Sequence, residues 1–176
     1  LTVYDDMCPL HFKSGNSSGD STWIQYTVPE VPYMQLDNQV LAWNTSSDQA
    51  YAYGGPYDHY RMIQGKIPMA RSAFEVKISL PDPAYLLAIQ LSDSLKQRGV
   101  WLNGEPTTAR KLRISGDTLS TARTDIHVLE SPTLSTLVYH TNLKSVNLFA
   151  EHFLCHLGHG STVSGSYNIE EFWSKK

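Results

Sequence analysis

The sequence predicts an α+β fold, and three observations carry that expectation. Residues 74–80 alternate strictly: Phe74, Val76, Ile78 and Leu80 are apolar, while Glu75, Lys77 and Ser79 are polar. This period of two marks a strand with one buried and one wet face. The spacing then switches at once to a helical one over 84–98, and helical patterning returns after residue 131.

Taken in order, the first residues are strand-like, and 13–21 (Lys-Ser-Gly-Asn-Ser-Ser-Gly-Asp-Ser) read as a flexible loop. A strand is predicted over 22–28, with Pro29 and Pro32 punctuating the chain behind it. Tyr51 and Tyr53 alternate with Ala50 and Ala52 before a Gly54-Gly55-Pro56 turn. After the strand at 74–80, Asp82 suits an N-cap, Pro83 the first helical position, and Gly99 the position just past the helix end. Ala84, Leu87, Ala88, Leu91 and Leu95 share one face at 3.6-residue spacing, so that face is expected on the core beside Val76 and Ile78. Residues 100–102 read as a strand ending at an Asn103-Gly104 turn, and 125–128 as another short strand. Ser131-Pro132 starts a helix carrying Leu134, Leu137 and Val138 on one side. A second helix should begin near Asn147, bury Phe149, Phe153 and Leu157, and stop at Gly158. A third, from about Tyr167, carries Ile169, Phe172 and Trp173.

Composition narrows the function. Of 176 residues, 41% are hydrophobic and 18% charged, the balance of a globular chain, not a disordered one. A formal net charge of -3 with interspersed signs offers no footprint for nucleic acid. No apolar stretch is long enough for a membrane span. Cys8 and Cys155 are read as free thiols, although a long-range disulfide is open to them.

Three constellations compete for the chemistry. His152, Cys155, His156 and His159, with Glu151 beside them, fall on one helical face, and imidazole with thiolate suits zinc. Yet the His-Glu-x-x-His order is absent, and four ligands along one helix span about 10 Å, too far for one tetrahedral ion. No metal and no other cofactor is therefore expected. A hydrolase triad is the second candidate, but no Gly-x-Ser-x-Gly elbow is expected, and Ser161, Ser164 and Ser166 sit in a glycine-rich stretch without that spacing. The third is Lys144-Ser145-Val146-Asn147, followed by Leu148-Phe149-Ala150-Glu151-His152-Phe153-Leu154. On its own, Ser145 reads as a helix N-cap with Asn147 in the first turn, so that Ser145→Ala would cost about 0.5–2 kcal/mol.

This third run resembles the second active-site motif of the D-Ala-D-Ala carboxypeptidases of the penicillin-binding protein 4 family. There a Ser-x-Asn opens a helix that ends at Leu-Gly, as Leu157-Gly158 does here. The stretch from Asp48 to Tyr57, Gly65-Lys66-Ile67-Pro68, Pro81-Asp82-Pro83-Ala84 and Gly165-Ser166-Tyr167 are similar to segments of Bacteroidetes-like members. Two departures stand out. Val146 replaces the more usual Asp or Asn, and the 176 residues contain neither Ser-x-x-Lys nor Lys-Thr-Gly, the other two parts of the signature.

The resemblance implies an internal fragment of a periplasmic or cell-envelope serine peptidase, inactive alone. Its substrate would be the D-Ala-D-Ala end of peptidoglycan stem peptides, and β-lactams would acylate the same serine. Ser145 would pass a proton towards the leaving amine, and Asn147 would hydrogen-bond the lysine and the substrate amide. It also implies nesting: residues 1–26 and 74–130 in an α+β insert domain, 27–73 in a β-rich subdomain within it, and 131–176 in a helical piece of the transpeptidase domain. A rival reading is a non-catalytic binding module, in which Trp43, Tyr51, Tyr53, Tyr57 and Tyr60 contact glycan strands or a partner protein.

Overall fold

A computed structural model of the chain describes residues 2–117, 124 and 127–159. The chain divides into two compact units, Leu1–Ser120 and Thr121–Lys176. Among the described residues, the first holds two three-stranded sheets and two α-helices and the second a pair of helices, so the α+β expectation stands.

In the first unit β1 (Met7–Ser14) is the centre of one sheet, antiparallel to both β2 (Thr22–Thr27) and β6 (Phe74–Ser79). The second sheet has β5 (Tyr60–Pro68) at its centre, parallel to β3 (Gln35–Trp43) and antiparallel to β4 (Gln49–Tyr53). Alternation decides which side chains go inside. Leu10 and Phe12 from β1, Val76 and Ile78 from β6, Val40 from β3, and Ile63 and Ile67 from β5 form one core. Gly65, at φ +127° in β5, is required there because any β-carbon would collide with the Gln49 carbonyl of β4.

Polar side chains buried between the sheets are satisfied, as burial demands. Ser14 donates its hydroxyl to the Pro68 carbonyl at 2.8 Å and accepts the Arg71 N–H at 2.9 Å. Thr22 donates to the Val40 carbonyl at 2.9 Å. Arg61, inward on β5 and 3% exposed, donates to the carbonyls of Gly55, Asp58 and Tyr60 and so fixes the β4–β5 loop.

The switch from strand to helix occurs where expected. Helix α1 (Pro83–Gln97) is capped by Asp82, whose carboxylate accepts the Tyr85 N–H at 3.1 Å, with proline in the first turn and Gly99 past the end at φ +78°. Its buried face differs from the expected one. Leu86 enters the core at 0% exposure, whereas Leu91 is 56% exposed and Leu87 and Leu95 are half-buried. Apolar residues run most of the way round this helix, so spacing selects no single face. The anchors at Asp82 do. The Asp82 carboxylate, 1% exposed, takes Arg110 Nη2 at 2.9 Å, and its carbonyl takes the Tyr33 hydroxyl at 2.8 Å. Arg110 belongs to α2 (Ala109–Ser115), a short helix capped by Thr108 that the patterning did not reveal.

Two further expectations are corrected. Residues 100–102 form no strand, because no neighbouring strand supplies a ladder, and Asn103-Gly104 makes a bend in an irregular segment. Residues 127–130 are irregular also, while 125 and 126 lie outside the described residues. The expected helix from Tyr167 lies outside them as well. In the second unit α3 (Leu134–Lys144) is capped by Thr133, and α4 (Asn147–His159) runs past Gly158 instead of stopping there.

Candidate functional site

Ser145 and Asn147 stand at the junction of α3 and α4, a link of only two residues. Ser145 ends α3 in the left-handed region, at φ 51° and ψ 47°, and its own N–H bonds back to the Thr141 carbonyl. Val146 then donates its N–H to that same Thr141 carbonyl at 3.2 Å, and its carbonyl accepts from Phe149 at 3.1 Å. Val146 thus carries the turn from one helix into the next. The expectation that Ser145 caps the following helix is therefore overturned. The αL geometry points its backbone back onto α3, and its hydroxyl makes no bond to a described residue.

Both Ser145 and Asn147 are exposed, and the Asn147 amide is likewise without a partner among the described residues. The link offers solvent one hydroxyl that can give or take a proton and one amide that can donate and accept. Lys144, the last residue of α3, stands exposed beside them. The open end of the helix pair, by contrast, holds an apolar groove of about 550 Å³ lined by Leu134, Leu137, Val138, Phe153 and His156. One α3 length, about 16 Å at 1.5 Å per residue, separates Leu134 from Ser145. The groove does not belong to the Ser-x-Asn link.

The other constellations fare differently. Cys155 and His156 are exposed on α4, His152 is half-buried, and the His159 side chain lies outside the described residues. Among the described residues no three metal-ligating side chains converge. Cys8 and Cys155 are both free thiols. Cys8 is buried and donates to the Pro29 carbonyl at 3.8 Å, and its burial raises the thiol pKa. Ser161, Ser164 and Ser166 lie outside the described residues. The Gly-x-Ser-x-Gly spacing does occur once, at Gly15-Asn16-Ser17-Ser18-Gly19, a stretch legible in advance only as a loop. It connects the antiparallel β1 and β2 and is not a strand-to-helix elbow. There Asp20 Oδ2 accepts the Ser17 N–H at 2.9 Å.

Of the five aromatic residues singled out for binding, the fold brings four together. Trp43, Tyr51, Tyr53 and Tyr60 all stand on the outer face of the second sheet. Tyr57 is elsewhere, in the β4–β5 loop beneath the Arg110 guanidinium at 4.0 Å. Sequence reasoning missed the polar residues between those rings, Asp37, Gln39, Gln64 and Lys66. The only signal for them was a weak one, because Asn38, Arg61 and Gly65 interrupt the alternation within 35–43 and 60–68.

Comparison with known proteins fits this architecture. The family model described as "D-Ala-D-Ala carboxypeptidase 3 (S13) family" matches residues 1–171. No curated protein sequence matches the chain. A crystal structure of penicillin binding protein 4 (dacB) from Haemophilus influenzae, complexed with a β-lactam, shares the fold. Its TM-score is 0.59 at 13% identity, over 89% of this chain and 34% of that one. The present chain thus spans about a third of the length of the solved relative. With the family model covering nearly every residue, the chain belongs to the D-Ala-D-Ala carboxypeptidase 3 (S13) family.

Proposed function

We propose that this chain is part of a serine peptidase that cleaves the D-Ala-D-Ala end of peptidoglycan stem peptides through an acyl-enzyme, and that Ser145 and Asn147 belong to its site. The observation that carries the reading is the family match over residues 1–171. The link geometry supports the residue assignment, because it presents a hydroxyl and an amide unbonded to the described residues at the head of α4. In that chemistry a serine attacks the terminal amide carbonyl, D-Ala leaves as the amine, and water releases the acyl group. Ser145 would hand a proton to the departing nitrogen, and Asn147 would hold the general-base lysine and the substrate amide. β-Lactams would acylate the same nucleophile.

Neither Ser-x-x-Lys nor Lys-Thr-Gly occurs in the 176 residues, so nucleophile and base must come from elsewhere in the protein, and the chain alone is inactive. The nested division into 1–26 with 74–130, 27–73, and 131–176 is part of the same proposal. The sheets β2-β1-β6 and β3-β5-β4 follow its first two parts in sequence, and they share one core. The setting is the periplasm or cell envelope. No described helix is long and apolar enough to cross a membrane.

Labelling with a fluorescent penicillin tests the reading. The 176-residue chain is expected to show no covalent band on a denaturing gel. A longer form containing Ser-x-x-Lys should label, and in it Ser145→Ala should slow acylation by on the order of 10²–10⁴. A competable band on the 176-residue chain would overturn the missing-nucleophile reading. Full-speed acylation by both Ser145→Ala and Asn147→Ala would remove those residues from the site.

A further inference from the structure

The outer face of the second sheet is built unlike an ordinary solvated strand surface. On β4, Tyr51 is 66% and Tyr53 51% exposed, and on β5 Tyr60 is 45% exposed. On β3, Trp43 and Leu41 are 38% and 40% exposed. The ladder sets these in rows: Tyr53, Met62 and Asp37 across one level, Tyr51, Gln64 and Gln39 across the next, then Gln49, Lys66 and Leu41. The opposite face of the same strands is core, so the rings do not turn outward for lack of register.

The charges on this face are already engaged. Lys66 Nζ lies 3.7 Å above the centre of the Trp43 ring. Asp37 Oδ2 accepts from the Tyr60 hydroxyl at 2.7 Å and from Gln39 Nε2 at 2.8 Å. Gln64 Nε2 in turn donates to Gln39 Oε1 at 2.7 Å. This chain of bonds orients both amides between the rings, which preorganises them. The surface offers aromatic faces and fixed amides with no uncommitted charge, which disfavours phosphates, uronic acids and acidic peptides. From the Met62 level to the Pro68–Trp43 level it runs about 20 Å at ~3.3 Å per residue. Three strands make it about 10 Å wide, so its plan area is on the order of 200 Å², against roughly 800 Å² per partner in a stable protein interface.

We propose that this face is a platform for an uncharged polysaccharide of N-acetylated aminosugars, laid along the strands. The ring C–H faces would stack on Tyr51, Tyr53 and Trp43, and the acetamido groups would pair with the Gln39 and Gln64 amides. The proposal stands apart from the peptidase reading, since no residue of the α3–α4 link takes part.

Titration of the 176-residue chain with a β-1,4-linked N-acetylglucosamine hexamer, followed by amide chemical shifts, tests it. Shifts should cluster on β3, β4 and β5, and the Tyr51→Ala/Tyr53→Ala double variant should bind at least tenfold more weakly with an unchanged melting temperature. Trp101→Ala, an 87% exposed ring outside both sheets, should bind as the parent does. A glucose hexamer, which lacks the acetamido groups, should bind several-fold more weakly. Failure of the aminosugar hexamer to bind would overturn the proposal, as would equal binding by the double variant or by the glucose hexamer. Self-association in sedimentation that the double variant abolishes would overturn it in favour of a protein interface. Loss of penicillin labelling in a longer form would leave this result unaffected, so the two readings fail separately.

Discussion

The two units of this chain solve the problem of burial in opposite ways. In the first, strands from 7–79 and helix α1 close a core in which Leu10, Phe12, Ile63 and Leu86 are fully buried. In the second, no described side chain of α3 or α4 is buried: Leu134 is 65%, Tyr139 62% and Leu143 57% exposed. Helices of 11 and 13 residues are marginal on propensity alone. Unit one therefore closes a core of its own, while the described side chains of the helices that present Ser145 and Asn147 close none. The two residues proposed for the site thus sit where packing among the described residues is lightest.

The sharpest way to break this contrast is to cut into both units equally. Phe12→Ala should cost about 3–5 kcal/mol, because it removes a fully buried ring and leaves a cavity. Leu134→Ala should stay within about 0.5 kcal/mol, as for an exposed site. Chemical denaturation followed by tryptophan fluorescence and far-ultraviolet dichroism measures both. A large loss from Leu134→Ala would mean that the helical unit has a core of its own.

A second, smaller effect sharpens the comparison at the seam between β6, α1 and α2. Asp82→Ala removes an N-cap and strips Arg110 of its partner. The Arg110 side chain is 31% exposed, so water recovers part of the loss, and about 2 kcal/mol is expected in place of the full penalty of a buried pair. Amide exchange should accelerate through α1 and α2 while α3 and α4 are unchanged. Acceleration in α3 as well would show that the units are energetically coupled.

The same contrast explains what could be read in advance. Strand 74–79 and helix 83–97 were legible because strict periods of two and 3.6 adjoin a proline-marked boundary. The rotation of that helix was not legible, since it is set by the bonds of Asp82 to Arg110 and Tyr33, which are distant in sequence. β3 and β5 were blurred by polar and glycine residues at Asp37, Asn38, Arg61 and Gly65, whose places depend on a parallel partner. The strand expected at 100–102 had the right residues and no partner. The candidate site was legible only as a motif. Nothing local predicts that Ser145, a non-glycine residue, adopts the left-handed conformation.

That conformation yields the next prediction. An L-residue with a β-carbon in the left-handed region costs roughly 1–2 kcal/mol, a penalty glycine escapes. Ser145→Gly should therefore tighten the α3–α4 link by about 1 kcal/mol, read as slower exchange of the Val146 amide bonded to Thr141. In a longer, penicillin-labelling form the same change should slow acylation. Faster exchange in Ser145→Gly would mean that the serine hydroxyl holds the link, and so has a structural role.

The smallest effect separates the units by pH. Tyr33 packs against His59 and Tyr85 with ring centres 4.6 and 5.1 Å away, and its hydroxyl donates to the Asp82 carbonyl. Burial, reinforced by the Asp82 charge, pushes its phenol up from 10.0 to about 12. The folded pKa lies above the unfolded one, so folding favours the protonated phenol. Its contribution is complete below pH 10 and is lost as pH rises through about 12. Cys8, also raised by burial, acts in the same direction from lower pH, and it is common to the parent and to Tyr33→Phe. The difference between those two proteins therefore isolates Tyr33. At pH 8, Tyr33→Phe should be less stable by about 0.5–1.5 kcal/mol, the worth of one hydrogen bond. The gap should close as pH approaches 12, because above about pH 10 only the parent's unfolded state gains by ionising a phenol that the fold keeps protonated. The loss should appear in the near-ultraviolet signal of the strand unit before any change in the helical dichroism of α3 and α4. A gap that stays constant to pH 12 would mean that the fold does not hold the Tyr33 phenol protonated.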